Sequence, residues 1–466
     1  MPLIIPSNSI SAGGFAVDNS LRFNDGSSDY LNRTLSAGNK QTWTWSGWIK
    51  RSNLGAQQLI MHCYDGAAGN RGEFKFQSND TIGFDTGGDG SLGRIDTSAV
   101  YRDVSAWYHI VFVMDTTNAT ATDRQRIYVN GVRTTTTVDA QVGVNFNGGL
   151  INSANAHEIG TEGGGGSFFD GYMSEVCFID GSALAPTDFG EFDEDSGIWK
   201  PIDVSGLTFG TNGFYLDFED SGALGADVSG NTNNFTVNNL TAIDQVSDSP
   251  TNNWCLINPL DNFFAGSTFT EGNTTVDMTT SGVETFNTST FAVSSGLWYA
   301  ECKLIDSSSK PMVGISHAIP IAIGNVLGNS GFGYAYMGED GQVKAEGSNG
   351  AYGATYTTND IIGVYLDLTA NKLYFAKNGA LQNSGTGVSI TAAASTANGH
   401  YFFGAGKRHS DNNQVSWNFG NPSFTGTDKA DANGYGSFEY DPSVGTFDGA
   451  SKDFYALCTK NLAEYG

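Results

Sequence analysis

The sequence predicts an all-β protein made of two antiparallel β-sandwiches. Gly is abundant with 61 residues, Phe and Tyr are plentiful with 30 and 19, and charged residues make up only 15% of the chain. This composition is typical of short strands joined by polar turns. Two stretches, one in each half of the chain, also follow the same plan of an apolar strand, a polar turn and a hairpin.

The first of these stretches is WYHIVFVMDTTNATATDRQRIYVNGVR, residues 107–133. Its first part is almost continuously apolar and rich in β-branched and aromatic residues, which is typical of a strand buried on both faces. The second strand runs into Asn130-Gly131, a pair that tolerates the positive φ angles of a two-residue hairpin. Residues 360–379, DIIGVYLDLTANKLYFAKNG, repeat the plan.

The same pattern predicts a core. The residues expected to be largely buried are Trp107, Val111, Val113, Ile127, Val129, Trp298, Ile362, Val364 and Leu366.

The charge and the cysteines exclude several classes of protein. The 466 residues carry a formal net charge of −26, so a polyphosphate backbone is repelled and nucleic acid is not an expected partner. The five cysteines are odd in number and lack metal-site spacing, so we expect buried free thiols. The chain opens MPLIIPSNSISAGG without a basic region, which predicts no signal peptide, and no apolar run predicts membrane insertion.

The pattern divides the chain into five parts. The segment after the first sandwich contains several aromatic residues that need burial, so we expect an ordered connector rather than a flexible linker. The parts are a lead (1–19), the first sandwich (20–192), the connector (193–268), the second sandwich (269–425) and a tail that packs on the second sandwich (426–466).

Motifs along the first sandwich resemble the laminin-G-like branch of the concanavalin A-like lectins and glucanases. An opening strand, a tryptophan strand, a W-Y-H-V strand with a Y-V-N-G hairpin, and a closing G-x-M-x-E-V strand follow in the family's order. The matching residues are Leu21, Phe23, Asp29, Tyr30, Trp48, Trp107, His109, Tyr128, Asn130, Gly131, Gly171, Met173, Glu175 and Val176. The resemblance implies a jelly-roll sandwich.

The second sandwich resembles a SPRY domain. Its motifs G-x-W-Y-x-E, V-G-I-S, D-x-I-G-V-x-L-D, F-x-K-N-G and W-N-F-G follow in the order of that family. They lie at Gly296–Glu301, Val313–Ser316, Asp360–Asp367, Phe375–Gly379 and Trp417–Gly420. The resemblance implies a second sandwich with peptide-gripping loops.

The tail sequence FYALCTKNL and the connector segment SGNTNNF resemble bacteriophage tail or surface proteins. This resemblance implies a non-enzymatic phage structural protein, a tail-fibre or surface-fibre adhesin for host-surface glycan or protein. Its expected location is the virion, with other virion proteins as partners and a homo-oligomer, in the first place a trimer. The alternatives are a structural virion or capsid-decorating component without a receptor role, and a disfavoured glycan hydrolase.

No catalytic constellation is expected. A glucanase of the concanavalin A-like class carries paired carboxylates on one strand. The nearest match is Glu191-Phe192-Asp193-Glu194-Asp195, which lacks the third glutamate and lies after the last strand of the sandwich. A solvated acidic turn explains it better.

Sugar binding requires exposed aromatic rings beside polar loops, since pyranose faces stack on rings. Core or rim packing is the alternative for each candidate taken singly. The candidates are Trp43, Tyr64, Asn70, Tyr101, Asn155 and Phe168.

Calcium is the expected metal, if there is one. Oxygen-rich, glycine-rich loops suit a hard cation, and the alternative is ordinary polar turns. The candidate ligands are Asp85, Asp89 and Asp96.

Overall fold

A computed structural model describes residues 14–67, 70–87, 93–163, 165–262, 266–278, 284–307, 310–322, 324–408, 412–424 and 426–466. The described chain forms two compact units that divide between Thr251 and Asn252. The predicted all-β class is confirmed. The described residues include one α-helix, α1 (Thr459–Tyr465), and five 3₁₀ turns at Ala121–Asp123, Pro186–Asp188, Ala242–Asp244, Gln382–Gly385 and Ala393–Ser395.

The first unit contains eighteen described strands. They are β1 (Ser20–Phe23), β2 (Tyr30–Thr34), β3 (Thr42–Arg51), β4 (Gln58–Tyr64), β5 (Arg71–Phe76), β6 (Ile82–Asp85), β7 (Arg94–Thr97), β8 (Tyr108–Asp115), β9 (Gln125–Val129), β10 (Val132–Arg133), β11 (Thr136–Ala140), β12 (Ala156–Ile159), β13 (Gly171–Asp180), β14 (Gly190–Phe192), β15 (Trp199–Pro201), β16 (Phe214–Leu216), β17 (Thr236–Asn238) and β18 (Gln245–Val246).

Two large antiparallel sheets form this unit. Sheet A has the order β10-β9-β8-β3-β13-β1-β18, with β16 also paired to β13, and sheet B has the order β11-β7-β6-β5-β4-β12-β2-β17. Aromatic rings from both sheets meet between them: Phe74 of sheet B stacks on Phe112 of sheet A at 4.3 Å between ring centroids, and Trp43 packs 5.6 Å from Phe74. The core therefore lies between the two sheets, as a sandwich requires.

The outer face of sheet A is also covered. Val111 and Val113 point away from the inter-sheet core and pack with Phe189, Phe209 and Tyr215 from the segment after β13. This is why β8 is buried on both faces, as its apolar run predicts.

Both Asn-Gly pairs form the predicted hairpins. Asn130 and Gly131 have φ of 48° and 77° and join β9 to β10. Asn378 and Gly379 repeat the geometry with φ of 49° and 77°. Positive φ at both positions is the requirement of a type I′ turn.

The predicted connector is divided between the two units. Its strands β16, β17 and β18 pair with β13, β2 and β1, which adds them to the sheets of the first unit. Of the predicted lead, residues 1–13 lie outside the described residues, and the amide of Val17 donates to Thr251 Oγ1 at 3.0 Å.

The second unit contains fifteen described strands. They are β19 (Thr268–Thr270), β20 (Thr275–Met278), β21 (Thr285–Val293), β22 (Leu297–Ser307), β23 (Pro311–Ser316), β24 (Tyr334–Met337), β25 (Gln342–Ala345), β26 (Ser348–Ala351), β27 (Ile361–Asp367), β28 (Lys372–Lys377), β29 (Ala380–Leu381), β30 (Val388–Ser389), β31 (Tyr401–Lys407), β32 (Asn413–Asn418) and β33 (Tyr455–Ala456).

These strands form a second sandwich. Sheet C has the order β19-β20-β32-β22-β27-β28-β29, with β30 beside β28 and β33 beside β22, and sheet D has the order β21-β31-β23-β24-β25-β26. Its core contains Trp298, Val364 and Leu366 of sheet C with Val313 and Phe403 of sheet D. All nine residues predicted to be buried are at most 9% exposed.

The C-terminal tail packs on the outer face of sheet C. Phe447 and Phe454 pack against Tyr365, and Phe438 packs against Tyr299. The buried carboxylate of Glu301 accepts hydrogen bonds from tail backbone amides. All five cysteines are buried and free, as expected. No helix among the described residues is long and apolar enough to cross a membrane.

Candidate functional site

The face of sheet B that points away from the core carries a row of polar side chains. Strand alternation sends Phe74, Phe84 and Ile95 inward, so their strand neighbours point outward. One directly paired position on each of six strands bears a polar residue, and we call this set the polar row. It consists of Asn32, Glu158, His62, Glu73, Asp85 and Arg94 on β2, β12, β4, β5, β6 and β7.

The centre of the polar row is buried and charged. Glu73 is 0% exposed, and the ammonium of Lys75 contacts its Oε2. Arg71 Nε lies 2.8 Å from Glu73 Oε1, and Arg71 Nη1 lies 3.2 Å from Glu162 Oε1. The guanidinium of Arg71 therefore bridges the carboxylates of Glu73 and Glu162.

Asp85, the next residue of the row, has a raised pKa. Burial raises the pKa of Asp85 to about 6, and the neighbouring charge of Glu73 adds to the rise against a hydrogen bond from the Gly87 amide. The side chain is 3% exposed. At neutral pH this carboxyl group is therefore mostly the anion, and it takes up a proton as the pH falls through about 6.

His62 lies between two carboxylates of the row. Its Nδ1 is 3.3 Å from Glu158 Oε2, and its side chain is 2% exposed. One ring nitrogen of His62 and one carboxylate oxygen each of Glu73 and Glu162 lie within 4.8 Å of one another. The ring of Tyr64 stacks beside the imidazole at 6.2 Å between centroids.

The predicted sugar-binding residues do not form one group. Tyr64 is 41% exposed at the end of β4, where it pairs with Arg71, the neighbour of Asn70, and with Ala156, the neighbour of Asn155. These three predicted residues therefore lie together at one end of sheet B. The prediction that Trp43 binds sugar is wrong. This residue is 1% exposed and packs in the core, because β3 is covered on both faces.

Tyr101 and Phe168 lie towards the other end of the same strands. The amide of Tyr101 donates to the Asp80 carbonyl in the loop between β5 and β6, and its ring packs edge-on against Tyr108. Ser167, beside Phe168, accepts a bond from the amide of Leu59 near the start of β4. Both predicted residues are half-buried.

The predicted calcium ligands have other partners. Asp96 accepts from Arg94 at 3.1 Å and from the Gln77 amide group at 3.0 Å, and Asp85 accepts from the Gly87 amide at 3.1 Å. Asp89 lies outside the described residues. Calcium at this loop stays a prediction.

Sequence reasoning missed most of the polar row. The segment RGEFKF places Glu73 and Lys75 on one face and Phe74 and Phe76 on the other, and this alternation could have indicated a charged outer face. His62 and Glu158 lie far from Glu73 in the sequence, so only the order of the strands brings them together.

The second unit has a small open notch beside the start of β23. Its volume is about 200 Å³, and its lining includes the buried Pro311 and Tyr356 and the more exposed Lys310 and Glu339. The ammonium and carboxylate of that pair are 3.1 Å apart. The remaining lining residues are Ser307, Gly338 and Thr357.

Comparison with known families matches each sandwich. The model of the concanavalin A-like lectin/glucanases superfamily matches residues 25–188, and the model of the SPRY domain matches residues 297–425. Human Ran-binding protein 9 is 31% identical over 86 residues, which are 18% of this chain and 12% of that protein. The Ran-binding proteins 9/10 homolog of Drosophila melanogaster is 33% identical over 88 residues, 18% of this chain and 9% of that protein.

Solved structures with similar chains have low overall scores. The SPRY domain of human HERC1 has a TM-score of 0.27 and 16% identity, over 36% of this chain and 92% of that chain. A heptameric SAP-like pentraxin from Limulus polyphemus has a TM-score of 0.27 and 20% identity, over 36% of this chain and 78% of that one. These scores carry no inference about function.

The phage interpretation is wrong. The relatives are Ran-binding proteins of animals, not tail fibres, so both the adhesin function and the virion location are corrected. This chain spans 9% to 16% of the length of those relatives. What the comparisons support is the domain composition: the chain contains a concanavalin A-like lectin/glucanase domain at residues 25–188 and a SPRY domain at residues 297–425.

Proposed function

We propose that this chain is a non-catalytic binding protein whose SPRY domain accepts one side chain of a protein partner in the notch at Pro311 and Tyr356. The observation that carries the proposal is the size of the notch, about 200 Å³. Pockets for small-molecule ligands and cofactors measure about 300–1,000 Å³, so this space fits a single anchoring side chain better.

The lining of the notch indicates the chemistry of the anchor. Pro311 and the ring of Tyr356 are buried and apolar, and the two charged lining residues, Lys310 and Glu339, are partly exposed. An anchor with an apolar stem and a polar end satisfies both regions. The formal net charge of −26 favours a basic partner, because opposite charge accelerates encounter.

The named relatives support a protein as the partner, since they are Ran-binding proteins. Their similarity extends over 18% of this chain, so the identity of the partner does not carry over.

A blocked notch tests the proposal. The full chain is applied to an array of random peptides, and the bound peptides are measured again with Thr357→Trp, whose indole fills the notch. Ala397→Trp is the matched control, because it adds the same ring at an exposed site just before β31, near the opposite end of β23. We expect the selected peptides to lose binding to the Thr357 variant and to keep it with the control. Equal binding by both variants would refute the notch as the site.

A second candidate function is glycan binding at the end of sheet B that carries Tyr64. The observation in its favour is the 41% exposed ring of Tyr64 beside Asn70 and Asn155. A sugar face stacks on such a ring, and amide groups meet its hydroxyls. Binding of the full chain to a glycan array should fall with Tyr64→Ala and persist with Tyr64→Trp; unchanged binding by Tyr64→Ala would remove this candidate.

The absence of catalysis is part of the proposal. Glu73 and Glu158 flank His62, but the charges of Lys75 and Arg71 already engage Glu73, which leaves it poorly placed as a general acid. Incubation with soluble polysaccharides should release no reducing sugar, and release that grows with time would overturn this part. Homo-oligomerisation stays a prediction that light scattering can measure.

A further inference from the structure

We propose that His62, Glu73 and Glu162 form a binding site for a divalent transition-metal ion of the Zn²⁺ or Mn²⁺ class. The site lies where Arg71 bridges Glu73 of the polar row and Glu162. Each residue offers one ligand atom, and the three atoms lie within 4.8 Å of one another. The site is in the first unit and is independent of the notch in the second.

His62 has a free buried nitrogen. Its Nδ1 faces Glu158 Oε2 at 3.3 Å, whereas its Nε2 is buried and has no hydrogen-bond partner among the described residues. A carboxylate that accepts from one ring nitrogen and leaves the other for a metal is the usual surrounding of a histidine ligand. Glu158 therefore orients His62.

The other two histidines of this unit provide a comparison. His109 Nε2 is 2.8 Å from Ser46 Oγ, and the indole N–H of Trp199 donates to His109 Nδ1 at 2.9 Å. Both ring nitrogens of His157 are also bonded within 3.0 Å. The other two histidines of this unit thus satisfy both nitrogens, and the unpartnered atom of His62 needs an explanation.

A second buried ligand atom has an ion-pair partner but no well-directed hydrogen bond within the described part of the chain. Glu73 Oε1 lies 2.8 Å from Arg71 Nε but accepts no well-directed hydrogen bond from the described residues. His62 and Glu73 occupy a directly paired position on β4 and β5, so the sheet holds both donors on one face. Two of the three ligands are therefore preorganised.

The guanidinium of Arg71 occupies the position between the two carboxylates that the metal ion would take. This group bridges Glu73 Oε1 and Glu162 Oε1, one oxygen of each of the two carboxylate ligands, and the Arg71 side chain is 38% exposed. An ion that enters can displace Arg71 towards solvent. Three carboxylates and one ammonium group then surround the site, and their net charge of −2 balances a divalent ion. They belong to Glu73, Glu158 and Glu162 and to Lys75.

The distances require a modest closure. Metal bonds of about 2.0–2.2 Å to nitrogen and oxygen place tetrahedral ligand atoms about 3.3 Å apart. The side chain of Glu162 is one-third exposed and follows β12 in a turn, so rotation of this side chain supplies the closure.

The donor set selects the class of ion. An imidazole nitrogen with two carboxylates suits zinc or manganese, whereas calcium takes six to eight oxygens. Three protein ligands also leave a coordination position open.

Calorimetric titration of the metal-stripped full chain with ZnCl₂ and MnCl₂ tests the site, with CaCl₂ as the comparison ion. We expect one transition-metal ion per chain and no comparable binding of Ca²⁺. Glu162→Gln should weaken the affinity by about tenfold or more, and Glu158→Gln by about 10–100-fold, as for other groups that orient a ligand. Glu191→Gln, an exposed carboxylate of the same unit, is the matched control and should change nothing.

Arg71→Gln gives the most discriminating result. Because this substitution removes the competing cation, it should strengthen binding severalfold, an effect that a loss of folding cannot produce. The proposal is overturned if the wild-type chain binds no transition metal, if Glu162→Gln leaves binding unchanged, or if Arg71→Gln weakens it.

Discussion

Glu175 should make the first unit less stable as the pH rises. It lies in a β-bulge of β13 with φ of 51°, is 7% exposed, and accepts a hydrogen bond of 2.5 Å from the Tyr215 hydroxyl. Burial raises the pKa of Glu175 to about 8 from 4.5, and the charges of Asp217 and Glu219 add to the rise. The folded protein therefore holds a proton that the unfolded chain releases above about pH 4.5.

The sign and the size follow from proton linkage. Between about pH 4.5 and pH 8 the folded state binds more protons at this group, so the free energy of unfolding falls as the pH rises. One unit corresponds to about 1.4 kcal/mol, and the shift of Glu175 amounts to roughly 5 kcal/mol at full extent. Glu175→Gln resembles the protonated carboxyl, keeps an acceptor for Tyr215, and removes this term.

Urea unfolding of the wild type and Glu175→Gln over this pH range measures the difference. We expect the variant to gain about 1.4 kcal/mol per pH unit relative to the wild type. Glu191→Gln controls for the loss of one negative charge, because that carboxylate is exposed on the same unit. If the wild-type and Glu175→Gln curves stay parallel from pH 5 to pH 8, the carboxyl is not buried as described and the reasoning fails.

Three further predictions concern stability. Leu366→Ala, at a position that is 0% exposed, should lower the free energy of unfolding by about 2–5 kcal/mol, and an unchanged melting temperature would place the residue outside the core. Asp248→Ala removes the carboxylate that lies 2.7 Å from the fully buried Lys50 ammonium. Chemical denaturation should show a loss of about 3–5 kcal/mol, and Lys50→Met together with Asp248→Ala should recover part of it. Glu301→Ala removes the acceptor for the Tyr440 amide, so limited proteolysis should cut the tail faster than in wild type, and equal rates would argue against this anchor.

The hairpins could be predicted from the sequence because their cause is local. Asn-Gly is favoured where two consecutive residues need positive φ, and both pairs adopt it. The burial of β8 is similarly local, since a continuous apolar run requires cover on both faces. These features depend on a few adjacent residues.

The candidate sites could not be predicted in this way because they depend on strand order. His62, Glu73 and Glu158 become neighbours only when β12, β4 and β5 pair. Trp43 was predicted to be a sugar-binding residue because an aromatic residue beside polar residues gives the same sequence pattern in a core strand and at an exposed edge. Its burial follows from packing between Phe74 and Phe178.

The strands that follow β15 determine when the first unit can finish folding during synthesis. The Ser20 hydroxyl donates to the Asp248 carbonyl across 228 positions of the sequence, and β18 closes the edge of sheet A beside β1. A chain emerging from the ribosome therefore cannot complete this sheet until Val246 has been synthesised, and contacts of such long range fold slowly. A gene fragment that ends at Phe192 would lack four strands of the unit, β15 to β18, and we expect its product to aggregate in expression trials. A fragment that ends at Thr251 encodes every described strand of the unit.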